Sequence, residues 1–302
     1  MAIQSVVSAK PALAILSPDR LSTLEAAYQT AISAKRRQTM IGFALLFVAI
    51  IVAGFVAEVR PVTFAENVFR FFSYFARIFT LESGASVFSD VGEWFWGLNK
   101  WLVMLWETIV IAYVGTLIGA IFGFILCFLA SANLVKNSWV RVSAKRFLEL
   151  CRTVPELVFA LIFVTSFGLG PLPGILAIAI HTMGALGKMF SEVVENISMN
   201  PVEGVNAAGG SWTQTVRFAV VPQVLSNFLS YTLLRFEINV RGAAVMGFVG
   251  AGGIGQDLVE AIRKFYYSDV SALLLLIIAT VMIIDAITER LRHIVIGLDE
   301  GK

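Results

Sequence analysis

Long uncharged stretches of apolar residues constrain this chain more than any other feature of its sequence. Residues 38–57, 108–135 and 157–187 contain no Asp, Glu, Lys or Arg. A helix of about 20 apolar residues crosses the hydrocarbon core of a bilayer. Of the 302 residues, 58% are hydrophobic and only 15% are charged, against roughly 25% charged residues in a soluble domain. The sequence therefore predicts an all-α polytopic membrane protein.

Six transmembrane helices are expected from these runs and their surroundings. The turn sequence Gly-Leu-Gly-Pro-Leu-Pro-Gly at 168–174 divides the longest run into two helices joined by a tight hairpin. Lys and Arg are concentrated in the segments on the same side as the N-terminus, which predicts that both termini are cytoplasmic. The six spans are 38–57, 108–135, the two halves of 157–187, 218–246 and 270–291.

The remaining segments complete the expected organisation. A helix start at Ser17 and Pro18, followed by apolar residues at helical spacing, predicts a short amphipathic helix on the membrane surface or on neighbouring subunits. A loosely ordered tail is the alternative. The expected segments are a cytoplasmic tail at 1–37, a first span at 38–57, an aromatic-rich periplasmic or interfacial segment at 58–100, a core of five spans at 101–292 and a cytoplasmic tail at 293–302.

Three glycines at four-residue intervals, Gly115, Gly119 and Gly123, mark one face of the second span. Small residues at this spacing let the backbones of two membrane helices approach closely. Packing within one protomer is the simpler interpretation, and a seam between two copies of the chain is the alternative.

The loop at 195–217, between the fourth and fifth spans, contains the most informative pattern. Gly209 follows Glu203 by six residues, and Pro222 follows that glycine by thirteen. A short helix, a glycine turn and a second helix would form a rigid knuckle at the membrane surface, and an ordinary charged loop is the alternative. The spacing resembles the EAA motif with which permeases of ABC importers contact their ATPase, although Gly204 stands where that motif has its first alanine. The resemblance implies coupling through Glu203, Gly204, Ala207, Ala208, Gly209 and Pro222.

Four further segments are similar to the phosphonate-type subfamily of these permeases: Arg152 to Val158, His181 to Gly184, Arg235 to Arg241 and Gly247 to Gly255. The resemblance spans roughly residues 100–292 and implies the type I ABC importer permease fold in the bacterial inner membrane. It also implies the partners, which are a second copy of this chain, two ABC ATPase subunits that bind ATP-Mg, a periplasmic substrate-binding protein and membrane lipid, but no nucleic acid. The chain itself contains no Walker A sequence. It is expected to have no cofactor, metal site or catalytic residue of its own.

Other functions remain as alternatives to a permease for phosphonate or a related phosphorus oxyanion. A methionine-type or a phosphate or phosphite permease would share most of these motifs. An ion-coupled secondary transporter belongs to a different class and typically contains internal repeats, which the two halves of this sequence lack. An intramembrane enzyme would need a nucleophile–base pair or a metal constellation. The Ser, His and Cys residues of this sequence form no recognisable set of that kind.

Charged residues inside the fifth span are the candidates for a translocation path. A charge near the bilayer centre costs at least about 2.5–3.5 kcal/mol, so such residues normally face protein or water. Glu237 and Arg241 are spaced as an ion pair within one helix, and Arg235 and Asn239 are spaced as a second pair. The functional interpretation is that Arg235, Glu237, Asn239 and Arg241 line a path for an anion. The structural interpretation is that they lock this helix to its neighbours.

Three local patterns complete the sequence-based expectations. Thr153 and Glu156 are spaced as a capping box at a helix start. His181 is expected to be a packing histidine, with a pH-sensitive gate as the alternative. The glycine-rich run after the fifth span has the dinucleotide-binding spacing without the strand that this motif needs. It is interpreted as a break in the helix near the pathway mouth, with the candidate gate or turn residues Gly250, Gly252, Gly253 and Gly255.

Overall fold

The computed structural model of the protein describes residues 18–300. The described residues divide into two compact units, the first ending at Phe71 and the second beginning at Phe72. The regular elements of the described residues are helices: α1 (Pro18–Val56), α2 (Pro61–Ile78), α3 (Val91–Trp94), α4 (Leu98–Ala130), α5 (Ser138–Thr153), α6 (Glu156–Phe167), α7 (Pro171–Glu195), α8 (Asn200–Ala207), α9 (Trp212–Thr215), a π-helical segment (Val216–Val220), α10 (Val221–Met246), a 3₁₀ turn (Gly247–Val249), α11 (Gly255–Lys264) and α12 (Tyr267–Glu300).

The first unit is dominated by α1, a helix of 39 residues. The expected amphipathic helix and first span are not separate elements, because α1 continues without interruption through the basic residues Lys35, Arg36 and Arg37. The boundary expected at residue 37 is therefore a change in composition rather than in backbone structure. Ser17, the predicted cap, lies outside the described residues.

Four helices of the described residues are long and apolar enough to cross a membrane: Ser22–Val56, Leu98–Ala130, Pro171–Glu195 and Tyr267–Val295. The helix α6 has 12 residues and reaches about 18 Å, which is shorter than the roughly 30 Å hydrocarbon core of a bilayer. The helix α10 has 26 residues but carries three charged side chains. The count of six spans therefore stays a prediction.

The glycine series of α4 packs against α7 within the protomer. A Cβ atom on Gly119 would lie 2.7 Å from the carbonyl oxygen of Ala179, and one on Gly115 would lie 2.7 Å from Cγ2 of Ile178. Gly123 in turn faces the backbone of Gly187. The series thus brings α4 and α7 into backbone contact, which confirms the intramolecular interpretation.

The helix α5 was not anticipated from the uncharged runs, because its apolar residues alternate with charged ones. Leu148 and Cys151 are buried on one face, and a Cβ atom on Gly184 of α7 would lie 2.7 Å from the carbonyl oxygen of Leu148. Lys145 of α5 also pairs with Glu195 of α7 at 2.8 Å. The helix α5 is therefore fixed to the bundle through α7.

The predicted capping box at Thr153 is wrong. Thr153 is the last residue of α5, and its hydroxyl donates to the carbonyl oxygen of Glu149 at 2.6 Å. Pro155 disfavours helical backbone at the preceding residue, and Val154 accordingly adopts extended angles of φ −73° and ψ 124°. The helix α5 therefore ends at Thr153, and Glu156 begins α6 without acting in a capping box.

The predicted hairpin between the third and fourth spans is present between α6 and α7. Gly168 and Gly170 have φ values of +87° and +140°, which L side chains rarely adopt. The amide of Gly170 donates to the carbonyl oxygen of Gly250 at 3.0 Å. The hairpin is therefore held against the glycine-rich segment that follows α10.

Candidate coupling knuckle and buried charge clusters

The loop between α7 and α10 forms a helix–turn–helix knuckle, here defined as residues 200–215. The turn is made at Gly209, whose φ is +81°. The amide of Ala208 donates to the carbonyl oxygen of Gly204, and the amide of Gly210 donates to that of Val205 at 3.0 Å. These bonds satisfy carbonyl groups at the end of α8, as expected for a glycine-terminated helix.

Side chains hold the two short helices of the knuckle together and fix the knuckle to the bundle. The hydroxyl of Thr215 donates to Oδ1 of Asn206 at 2.8 Å. Val202 is 3% exposed and belongs to an apolar cluster with Phe190 and Val220. The helix α7 and the first turns of α10 both contribute to this cluster. A displacement of α8 would therefore be transmitted to these two helices through the packed side chains.

The predicted coupling residues occupy two places on this structure. Glu203, Gly204, Ala207, Ala208 and Gly209 are all exposed on the knuckle, where four small residues leave the backbone accessible beside one carboxylate. Pro222 lies in the first turn of α10, directly after the π-helical segment. A proline ring clashes with the carbonyl four residues before it in a regular helix, and the residue at that position lies in the π-helical segment.

Glu237 and Arg241 form the predicted ion pair within α10. The guanidinium of Arg241 also binds Asp285 of α12 at 2.9 Å. The triad joins α10 to α12, so it has the locking role that the sequence left open.

Arg235 and Asn239 do not form the expected second pair. Asn239 has no exposed surface, and its amide donates to the hydroxyl of Thr116 on α4 at 2.7 Å and to that of Thr182 on α7 at 2.8 Å. Both threonines are at most 3% exposed. Asn239 therefore connects three helices in the interior of the protomer.

Arg235 instead contacts His181 of α7, with 2.5 Å between Nη2 and Nδ1. The other ring nitrogen of His181 lies 3.2 Å from the carbonyl oxygen of Arg152. Glu156 of α6 completes the group, with 3.5 Å between its Oε2 and His181 Nδ1. Residues from four helices therefore meet at the ring of His181, and both of its nitrogens have partners, as expected for a packed histidine.

The glycine-rich segment after α10 forms the expected break in the helix. Gly250, Gly252 and Gly253 have φ values of +81°, +86° and +78°, which require residues without a side chain. Gly255 begins α11. A Cβ atom there would overlap the carbonyl oxygen of Ala244.

Two residues of α4 hold this segment, and sequence reasoning missed both. The carboxylate of Glu107 accepts from the amide of Gly253 at 3.3 Å, and the hydroxyl of Thr108 accepts from the amide of Ile254 at 2.9 Å. The only available signal was the position of Glu107, an acidic residue directly before the uncharged run 108–135.

The long apolar helices and the charged residues inside α10 are features of a membrane transport protein. Residues 115–296 match the family of binding-protein-dependent transport system inner membrane components, and the chain belongs to this family. It is the permease component of an ABC importer in bacteria. An ATPase and a substrate-binding protein are the partners that such a component requires.

Known proteins agree with this assignment. The phosphite transport system permease protein PtxC of Stutzerimonas stutzeri is 39% identical over 198 residues, which cover 66% of this chain and 72% of that protein. A cryptic phosphonate transport system permease protein, PhnE2 of Escherichia coli K12, is 50% identical over 117 residues, covering 39% and 96% of the two chains. An inward-facing structure of the MetNI methionine ABC transporter has the same fold, with a TM-score of 0.56 over 65% of this chain and 95% of that one at 18% identity.

Proposed function

We propose that this permease imports a phosphorus oxyanion, either phosphite or a phosphonate, across the inner membrane. Similarity to permeases named for phosphite and phosphonate transport is the observation that carries this proposal. Arg235 of α10 supports it, because an anion in a membrane needs positive charge nearby. The fold alone favours no substrate, since the likeness to the methionine transporter is structural.

The proposed assembly contains two copies of this chain, each with six spans and cytoplasmic termini. Two ATPase subunits bind ATP-Mg in the cytoplasm, and a periplasmic binding protein delivers the substrate. In this arrangement, in addition to the four long apolar helices, α6 and α10 are the third and fifth of the six spans. Within the dimer their partly exposed polar groups face protein or water rather than lipid.

The knuckle is the proposed contact with the ATPase, through Glu203, Gly204, Ala207, Ala208 and Gly209, while Pro222 lets the root of α10 follow the movement. The proposed translocation path runs beside Arg235, Glu237 and Arg241. Asn239 supports that path from the interior through its bonds to Thr116 and Thr182. The proposed gate is the turn formed by Gly250, Gly252, Gly253 and Gly255.

Uptake of labelled phosphite and methylphosphonate tests this function. Cells that lack other importers for these compounds would carry the complete transporter, with wild-type permease or with Glu203→Lys. We expect chain-dependent uptake that Glu203→Lys abolishes, because the charge reversal lies on the proposed ATPase contact. Glu25→Lys is the matched control, since Glu25 is exposed on α1, and it should retain uptake. Uptake that does not depend on the chain would contradict the substrate assignment, and full activity of Glu203→Lys would contradict the coupling assignment.

A further inference from the structure

The group around His181 contains two buried polar atoms that the protein does not satisfy. Nε of Arg235 and Oε2 of Glu156 have no hydrogen-bond partner among the described residues. Buried polar atoms are normally paired, and each exception calls for an explanation. Both residues approach the same nitrogen of His181, Arg235 through Nη2 and Glu156 through Oε2, so the two residues that carry the unsatisfied atoms are neighbours.

The contacts of His181 determine how this group is protonated. A backbone carbonyl only accepts hydrogen bonds, and a guanidinium only donates them. The ring must therefore donate from Nε2 to the Arg152 carbonyl and accept at Nδ1 from Arg235, which defines one neutral tautomer. Nδ1 then has no proton for Glu156, which explains why the carboxylate at 3.5 Å remains unsatisfied.

The unsatisfied pair is complementary to a particular ligand. A free donor on a cation binds an anionic oxygen, and a free carboxylate oxygen binds a hydroxyl group. A singly protonated phosphorus oxyanion presents both groups on one atom, as P–O⁻ and P–OH. A fully ionised oxyanion presents only acceptors, so Glu156 would repel it.

The side chains that carry these buried atoms reach the surface of the protomer. The side chains of His181 and Glu156 are 19% and 23% exposed. Arg235 is half-buried on α10, the helix that leads from the knuckle to the glycine-rich turn. A ligand that travels along α10 would therefore meet this group between the coupling surface and the proposed gate.

From these observations we infer that Glu156, His181 and Arg235 form an oxyanion site in the permease that selects the singly protonated form of a phosphorus oxyanion. Arg235 binds the anionic oxygen and Glu156 accepts the P–OH group. His181 is a positioning residue that keeps the guanidinium directed at Glu156 while the site is empty. The inference rests on the proposed function and adds a second point of substrate selection, after the binding protein.

Binding of two probes to the complete transporter without its binding protein tests the site. The probes are methylphosphonate and its monomethyl ester, which is a permanent monoanion without a P–OH group. The pH is 6, which lies below the second pKa of an alkylphosphonate, so methylphosphonate is mostly singly protonated. We expect the wild type to bind methylphosphonate at least about tenfold more tightly than the ester. The ester lacks the P–OH group that donates to Glu156, and a hydrogen bond to a charged group changes affinity by about that factor or more. The measurements are calorimetry and ³¹P line broadening.

Two substitutions test which residues distinguish methylphosphonate from its ester. Glu156→Gln can donate an amide hydrogen to the ester, so it should remove or reverse the preference. Arg235→Gln should lower the affinity for both probes by about tenfold or more. Arg263→Gln, an exposed position on α11, is the matched control and should bind both probes as the wild type does.

The possible outcomes separate this site from the proposed function. Equal affinity of the wild type for the two probes, or no binding of either, would overturn the site even if chain-dependent uptake of methylphosphonate is present. An unchanged preference in Glu156→Gln would overturn the role of that carboxylate. The wild-type comparison needs no variant, so it decides the matter if the substituted proteins do not assemble. Absence of all chain-dependent uptake would count against the proposed function instead.

Discussion

Two glycines of the knuckle provide a matched pair for testing how its turn is built. Gly204 lies inside α8 and Gly209 forms the turn at φ +81°. A Cβ atom at either position would have no heavy atom within 4 Å. Alanine at the two positions therefore differs only in its effect on backbone conformation, not in packing.

The two substitutions should have opposite effects on stability. Alanine in a left-handed conformation costs about 1–2 kcal/mol, so Gly209→Ala should destabilise the knuckle by that amount. Alanine in a helix interior is favoured over glycine by about 0.8–1.0 kcal/mol, so Gly204→Ala should stabilise it. Gly209→Asn should lie between Gly209→Ala and the wild type, because asparagine tolerates this conformation.

Thermal unfolding of the purified permease–ATPase complex measures these effects. A change of 1 kcal/mol corresponds to about 2–4 °C in Tm for a unit of this size, so the two alanine variants should move in opposite directions by a few degrees. Uptake should fall more in Gly209→Ala than in Gly204→Ala, because only the first substitution disturbs the turn of the knuckle. Shifts of equal size and direction would refute the conformational argument.

Three further predictions concern the contacts that hold the helices together. Gly119→Val should cost at least about 1–3 kcal/mol, because its side chain would enter the backbone of α7, and this will appear as a lower Tm and poorer expression. Asn239→Ala should reduce the free energy of unfolding by about 1–2 kcal/mol, since it removes two hydrogen bonds at about 0.6 kcal/mol each and some packing. A double-mutant cycle with Thr116→Val, measured from Tm, should give a coupling energy of about 0.6 kcal/mol for one of these bonds. Arg241→Gln should reduce expression by leaving Asp285 and Glu237 without a cation, and adding Asp285→Asn should recover part of it.

The sequence was most informative where one local property decides the structure. Uncharged apolar runs located α4, α7 and α12 and the second half of α1, because burial in lipid depends on composition. The turn at Gly209 and the break at Gly250 were also expected, since positive φ favours glycine. The spacing of Glu203, Gly209 and Pro222 was sufficient to predict the knuckle.

The sequence was less informative where partners come from distant parts of the chain. His181, Glu156 and Arg235 lie on three different helices, so their meeting depends on how α6, α7 and α10 pack. Pairing of Arg235 with Asn239 was expected from spacing within one helix, but tertiary contacts gave each a different partner. The helix α5 was missed because a search for uncharged runs does not detect an amphipathic helix.

Cross-linking from the knuckle tests the central claim most directly. The native thiols Cys127 and Cys151 are 0% and 3% exposed, and burial raises the pKa of the Cys151 thiol, so a new exposed cysteine should be the reactive one. A short thiol–amine cross-linker would be applied to the assembled transporter with Ala207→Cys on the knuckle or Ser89→Cys, an exposed control position. The account predicts a covalent permease–ATPase product from Ala207→Cys that changes in yield when ATP is added, and none from Ser89→Cys. No product from Ala207→Cys in a transporter that still hydrolyses ATP and imports its substrate would contradict the claim that this knuckle couples the ATPase to transport.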